Sequence, residues 1–398
     1  MSERLYYTDP YLSEFEAQVT ATRDVGGRTG VLLDRTAFYP ASGGQPFDRG
    51  TLGDVPVVEV IDEDAGIVHV VEGHAPEGRV TGRIDWTRRF DHMQQHSGQH
   101  VLSAAIDRVC GVRTESFHLG ADTATIDLTR ELTTAEITAS EDAANEVVWA
   151  DRPVTIKFVD AADAASLGLR KESVRTGTLR IIDIGGFDVS ACGGTHVRRT
   201  GEIGVITISG WERFRGGTRL EFKCGSRALR AHRLLRDTVR DSSSLLSTAA
   251  GELPQAIERL QGDGKELRRR LRDAGARLAV FEAEVLAAKA EAVAGFRLIV
   301  EALAADAGTL KTMAQTISSS PGHVAVLVTS SSPVSIVVSR SADVSAVDAA
   351  RVLKALLGRF GGKGGGRPEM AQGGGLEASA EGVVEAARAL LSPTPAAN

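Results

Sequence analysis

Cysteine is scarce in this chain, with three in 398 residues, at Cys110, Cys192 and Cys224. That is too few for a disulfide framework and points to a reducing, cytoplasmic setting. Long apolar runs are absent too. None approaches the ~20 residues a membrane-spanning helix needs, so no membrane partner is expected. The N-terminus MSERLYYTDP lacks the basic-then-apolar order of a secretion signal. An overall excess of positive charge is also missing: 46 Lys and Arg stand against 52 Asp and Glu, a formal net charge of −6. Any nucleic-acid partner would therefore have to be met by local clusters. Such clusters exist at Arg88-Arg89, at Arg213, Arg215 and Arg219, and along Arg227, Arg230, Arg233, Arg236 and Arg240. The last set recurs every three or four residues, a basic stripe if helical and equally a plain solvated face.

Against this background two short stretches stand out, His96-Ser97-Gly98-Gln99-His100 and Cys192-Gly193-Gly194-Thr195-His196. Each sets two metal-capable side chains four residues apart. On a helix the first pair shares one face about one turn apart. In the second, two glycines allow a loop tight enough to aim both ends at one point. One such pair alone is usually a helix face or a buried small residue. Four of the twelve His and Cys residues, however, fall into two matching spacings. His96, His100, Cys192 and His196 therefore form a candidate metal set, and nitrogen with sulfur suits one Zn2+ per chain. The zinc-protease motif is excluded, because Ser97 stands where that motif has its general-base Glu. His92, a turn earlier, is a spare candidate.

These motifs, preceded by Thr36-Ala37-Phe38-Tyr39-Pro40-Ala41-Ser42-Gly43-Gly44-Gln45-Pro46, resemble the editing domain of alanyl-tRNA synthetases. The resemblance spans nearly the whole chain. With no aminoacylation domain ahead of it and a Gly-rich C-terminus, the chain is similar to freestanding alanyl-tRNA editing proteins of the long form. That resemblance implies a zinc-dependent deacylase acting on tRNA(Ala) that carries serine or glycine. It also implies that Thr36 senses the serine hydroxyl near the zinc and that Glu115 falls near a position the synthetases usually fill with Gln. With four protein ligands, catalysis requires a fifth ligand or release of one, and His196 is the candidate for release. Asp188, just before the CGGTH loop, can orient a ligand histidine. Two alternatives stay open: a tRNA-binding module with a structural zinc, and a threonyl-type editing enzyme, which shares the HxxxH and CxxxH spacing.

The fold class expected is α+β in four parts. Residues 1–86 read as short alternating strands with Gly-rich turns, a small β-barrel. Residues 87–225 read as the zinc-containing α+β editing domain, with a helix from Thr87 stopped by Gly111 and the second half of the metal set in the loop 185–196. Residues 226–295 read as a continuous helical spacer. Its heptad seam from Leu260 to Ala292, broken at Gly264, predicts a coiled-coil hairpin or homodimer arm. Residues 296–398 read as a small α/β domain. There the Gly-rich segment 361–375 is expected as an ordered loop offering backbone N–H groups, Lys363 and Arg367 to tRNA phosphate. Arg227 and Arg230 are the further tRNA contacts expected.

Overall fold

The computed structural model describes residues 2–64, 66–171, 177–293 and 295–392. The chain divides into two compact units, Met1–Ser242 and Ser243–Asn398.

In the first unit, the strand Glu14–Val25 alternates outward Glu14 and Glu16 with buried Phe15 and Ala17. Period-two patterning of this kind suits a sheet with one face inside. Six strands pair in the ring Glu14–Val25, Arg28–Leu33, Gly66–Val71, Val55–Glu63, Gly50–Leu52 and Arg79–Ile84, and the last pairs back onto the first. Phe15, Val31, Leu33, Phe38, Leu52, Val60 and Ile67 fill the interior.

The helix Trp86–Cys110 follows, capped by the Asp85 side chain on the Arg88 N–H and ended by Gly111 in the left-handed region. It is buried from His92 to Ile106 although half of that run is polar. Buried polar groups need partners, and here they stitch the helix to neighbouring backbone. Gln95 exchanges bonds with both the N–H and the carbonyl of Cys224. Gln94 donates to the Glu202 carbonyl and accepts from the Ser226 N–H. Gly98 permits the close approach, since a Cβ there would lie 2.2 Å from the Cys224 Sγ. Alongside lie a four-stranded sheet in the order Ile206–Phe214, Gly217–Cys224, Ala124–Leu128, Thr114–Leu119, and the capping-boxed helix Thr134–Trp149. A three-stranded sheet of Val154–Asp160, Thr178–Ile184 and Asp188–Ala191 carries the second half of the metal set. The segment expected as a loop therefore contains a strand, and Asp188 begins it.

A buried ion pair ties the helix to the barrel. Arg89 and Asp48 are both fully buried; the guanidinium also donates to the carbonyls of Pro10 and Ala37, and Asp48 accepts from the Tyr39 N–H.

The spacer is not one helix. Ser226–Leu246 and Leu253–Ala288 are separate, interrupted by a 3-10 turn at Ala250–Glu252, with Pro254 in the first turn of the second helix. Proline fits there because that N–H has no intrahelical acceptor to lose. The strand Glu291–Val293 then replaces the expected helical end. In the second unit a six-stranded sheet runs Glu291–Val293, Phe296–Leu303, His323–Thr329, Val334–Arg340, Met370–Leu376, Lys363–Arg367. The helices Ala349–Phe360 and Ala380–Leu391 cover one face, while Ala307–Ser319 and the Ala279–Ala283 stretch of the long helix cover the other. Leu260, Leu267, Leu271 and Leu278 of the expected seam are all exposed, at 57–73%. The Gly-rich segment is a β-hairpin rather than a loop, because Lys363–Arg367 pairs antiparallel with Met370–Leu376.

Candidate metal centre

His96 and His100 come from the middle of the buried helix, a rigid mount, and Cys192 and His196 from the turn after the strand Asp188–Ala191. Their ligand atoms all lie within 4.8 Å of one another. Nε2 of His96 and Nε2 of His196 are each 3.4 Å from the Cys192 Sγ. Zn–N and Zn–S bond lengths at a tetrahedral angle would separate nitrogen from sulfur by roughly 3.5 Å. The donor set and its spacing therefore fit a zinc-type ion.

Each histidine is held from behind through Nδ1. His96 lies 2.7 Å from the Gln45 Oε1, His100 2.6 Å from an Asp188 oxygen, and His196 3.2 Å from the Ser97 Oγ. Asp188 is itself fixed by Arg170 at 2.6 Å and by Ser190. Arg180 sets the turn that carries Cys192, donating to the carbonyls of Cys192 and Gly194 at 2.7 and 2.9 Å and to that of Tyr7. Gly194 passes so close to His96 that a Cβ would sit 2.1 Å from the Cε1.

Electrostatically the cluster favours a thiolate beside a protonated imidazole. Burial would raise the Cys192 thiol, but His96, His196 and His100 around it outweigh that and hold it well below the usual thiol range. Burial would lower His100, yet the Asp188 hydrogen bond lifts it to about 9. Burial presses His196 down to about 3. Asp188 resists its own desolvation through His100 and Arg170, falling to about 2. A cation entering a thiolate–imidazole cluster displaces the imidazole proton.

The cluster forms part of the wall of a cavity of about 730 Å³. His96, His100 and Cys192 line it; His196 does not. Around them stand Tyr7, Tyr39, Phe117 and Phe158, with Glu115, Arg170, Lys171 and Arg180. Glu115 lines the same cavity. Thr36 does not line the cavity. It is fully buried, its hydroxyl 2.8 Å from the His69 Nε2 and accepting from the Phe38 N–H at 3.1 Å. The Val31 carbonyl can only accept from the His69 Nδ1, so Nε2 is the acceptor and takes the single Thr36 proton. No hydroxyl donor is left for a substrate. His92 is buried with an unpartnered Nδ1 and is not part of the cluster.

Arg227 is also corrected. It is 3% exposed and paired with Asp91 at 2.6 Å, with a further bond to the Gly120 carbonyl, so it is not free to meet phosphate. Arg230, Lys363 and Arg367 are exposed. The sequence reading missed Gln45, Ser97 and Arg180. Gln45 lies inside the quoted 36–46 segment and Ser97 between the two histidines, but Arg180 carries no local signal at all.

Residues 179–221 match the family model of the threonyl and alanyl tRNA synthetase second additional domain, and residues 295–392 match the DHHA1 domain. The chain is 36% identical to the alanine–tRNA ligase of Pyrococcus abyssi, over 93% of this chain and 41% of that protein. It is 36% identical to the alanyl-tRNA editing protein AlaX-L of Pyrococcus horikoshii, over 65% of this chain and 66% of that protein. With the alanyl-tRNA editing protein Aarsd1-B of Xenopus laevis the identity is 38%, over 66% and 65%. The chain spans about two fifths of the length of the alanine–tRNA ligases it matches. The first matched model covers Arg180, Asp188, Cys192 and His196, and the second covers the C-terminal sheet apart from its edge strand Glu291–Val293. The chain is a homologue of the alanyl-tRNA editing proteins and of the alanine–tRNA ligases.

Proposed function

We propose that this chain hydrolyses the ester of tRNA(Ala) charged with the wrong amino acid, serine chiefly and glycine second. The observation that carries the reading is the cluster of three histidines and one cysteine set in the wall of a cation- and aromatic-lined cavity. The relatives named as alanyl-tRNA editing proteins support the same substrate class. An alanine-selecting site rejects an extra hydroxyl by only about 100-fold, and a second hydrolytic site makes up the difference.

His96, His100, Cys192 and His196 would hold the zinc ion, which when bound supplies Lewis acidity toward the ester. The protein's own groups do the rest. Asp188 and Gln45 orient the ligand histidines, Arg180 fixes the turn of Cys192, and Glu115, unlike the Arg4-paired Asp62 of the same wall, is a cavity carboxylate able to orient a water for attack. Phe158, 47% exposed in the wall, offers a face for stacking a base of the acceptor end. Because Thr36 is turned away, serine selection rests on the cavity wall and not on that hydroxyl. The basic positions Arg230, Lys363 and Arg367 serve tRNA binding, and the open leucine seam of Leu253–Ala288 serves self-association.

The test is deacylation of Ser-, Gly- and Ala-charged tRNA(Ala), before and after chelation and with Cys192→Ala. Hydrolysis of the serine and glycine esters that fails on metal removal is expected. Equal hydrolysis of the alanine ester, or full activity in the metal-free protein, would overturn it.

A further inference from the structure

Gln45 belongs to the barrel's 36–46 connection, yet its amide lies between two pieces of the cluster. Its Oε1 accepts the Thr195 backbone N–H at 3.2 Å and lies 2.7 Å from the His96 Nδ1, while its Nε2 donates to the Thr195 Oγ1 at 2.8 Å. Which end of an amide is oxygen follows from its hydrogen bonds. A backbone N–H can only donate, so the atom facing Thr195 N is oxygen. The same oxygen faces His96, so Nδ1 must carry the ring proton and the lone pair must sit on Nε2, the nitrogen 3.4 Å from the Cys192 Sγ.

Among the described residues, no other side chain lies within hydrogen-bond distance of the His96 Nδ1. Gln45 is 1% exposed, and the Gly194 backbone covers the contact so tightly that a Cβ would come within 2.4 Å of the His96 Nδ1 and 3.0 Å of the Gln45 Oε1. One side chain joins the barrel connection, the buried helix and the CGGTH turn.

We propose that Gln45 is the positioning residue that fixes the ligating tautomer of His96, so that the barrel's docking sets the metal affinity of the cluster. The proposal rests on reading that cluster as a metal centre. Asp188 acts likewise on His100, but Gln45 is the one such partner supplied by the barrel.

Two measurements test it. In metal-free wild-type protein carrying 15N-labelled histidine, at mildly alkaline pH, imidazole correlation spectra should show His96 protonated on Nδ1. Zinc affinity by competition with a chromophoric chelator should fall about 10- to 100-fold in Gln45→Met, the usual effect of losing such a partner. Gln45→Glu keeps both acceptor contacts and should stay near wild type. A His96 proton on Nε2 overturns the proposal, as does unchanged affinity in Gln45→Met or an equal loss in both variants, which would assign position 45 to packing. If Gln45→Met fails to fold by circular dichroism, the wild-type tautomer and the Gln45→Glu affinity still decide. A wild type with the expected tautomer and no zinc binding would sink the metal reading alone.

Discussion

Burial inside the barrel pushes the His69 imidazole down to about 4, while the unfolded chain titrates near the ordinary 6.5. The sign follows directly. Between those values the unfolded state binds the proton and the folded state does not, so stability is complete above about 6.5 and is lost as pH falls toward 4. The shift is worth on the order of 3 kcal/mol in all. Gln in its place can still donate to the Val31 carbonyl and accept from Thr36 without titrating. Urea unfolding of wild type and His69→Gln at neutral and at mildly acid pH should show a steeper acid loss in wild type. Parallel losses would mean that His69 does not carry this dependence. The same contact explains a limit of sequence reading: the partner of Thr36 lies 33 residues away across the barrel, and no local pattern reveals it. The candidate metal set was legible because its members come in two pairs, each four residues apart. Gln45 was visible only as part of a segment, with its role supplied by Thr195, 150 residues on.

At the scale of elements, the helix Trp86–Cys110 shows which features local chemistry encodes. It starts at Trp86, one residue before the expected Thr87, on the Asp85 cap, and its stop at Gly111 and its histidine pair agree with the chain's own signals. Its burial does not, because a run containing Gln94, Gln95, Ser97 and Gln99 looks solvent-facing until the strand Gly217–Cys224 is laid against it. Elsewhere the break at 247–252 carried its own signals, Ser242-Ser243-Ser244 before it and Gly251 and Pro254 at its far end, but the spacer reading ran one helix across them. The pairing of Lys363–Arg367 was hidden because glycine carries no periodicity. The close helix–strand contact makes a sharp prediction. Gly98→Ala places a Cβ against the Cys224 Sγ and should destabilise by about 1–3 kcal/mol, the usual result of overpacking. Cys224→Ala frees that space, so the double variant should recover part of the loss in a denaturant cycle. If the two losses simply add, the clash is not the cause.

Across the whole molecule the charge is negative, and several arginines are already engaged: Arg89 with Asp48, Arg170 with Asp188, Arg219 with Asp127, Arg227 with Asp91. Binding to the proposed tRNA partner must therefore come from the cations left in solvent, not from an overall field. Lys363 and Arg367 sit at the two ends of an exposed edge strand whose interior is three glycines, so backbone and charge are presented together without side chains between them. Each phosphate contact adds about 0.7–0.9 to the slope of log affinity against log salt. Lys363→Ala with Arg367→Ala should weaken tRNA binding at low salt and flatten that slope by up to about twice this amount. Arg227→Ala should instead lower stability, because it strands Asp91 and leaves the slope alone. Filter binding across a salt series, beside thermal unfolding of the same proteins, separates the two. A flattened slope for Arg227→Ala alone would return that residue to the tRNA surface and leave the glycine hairpin as an uncharged edge.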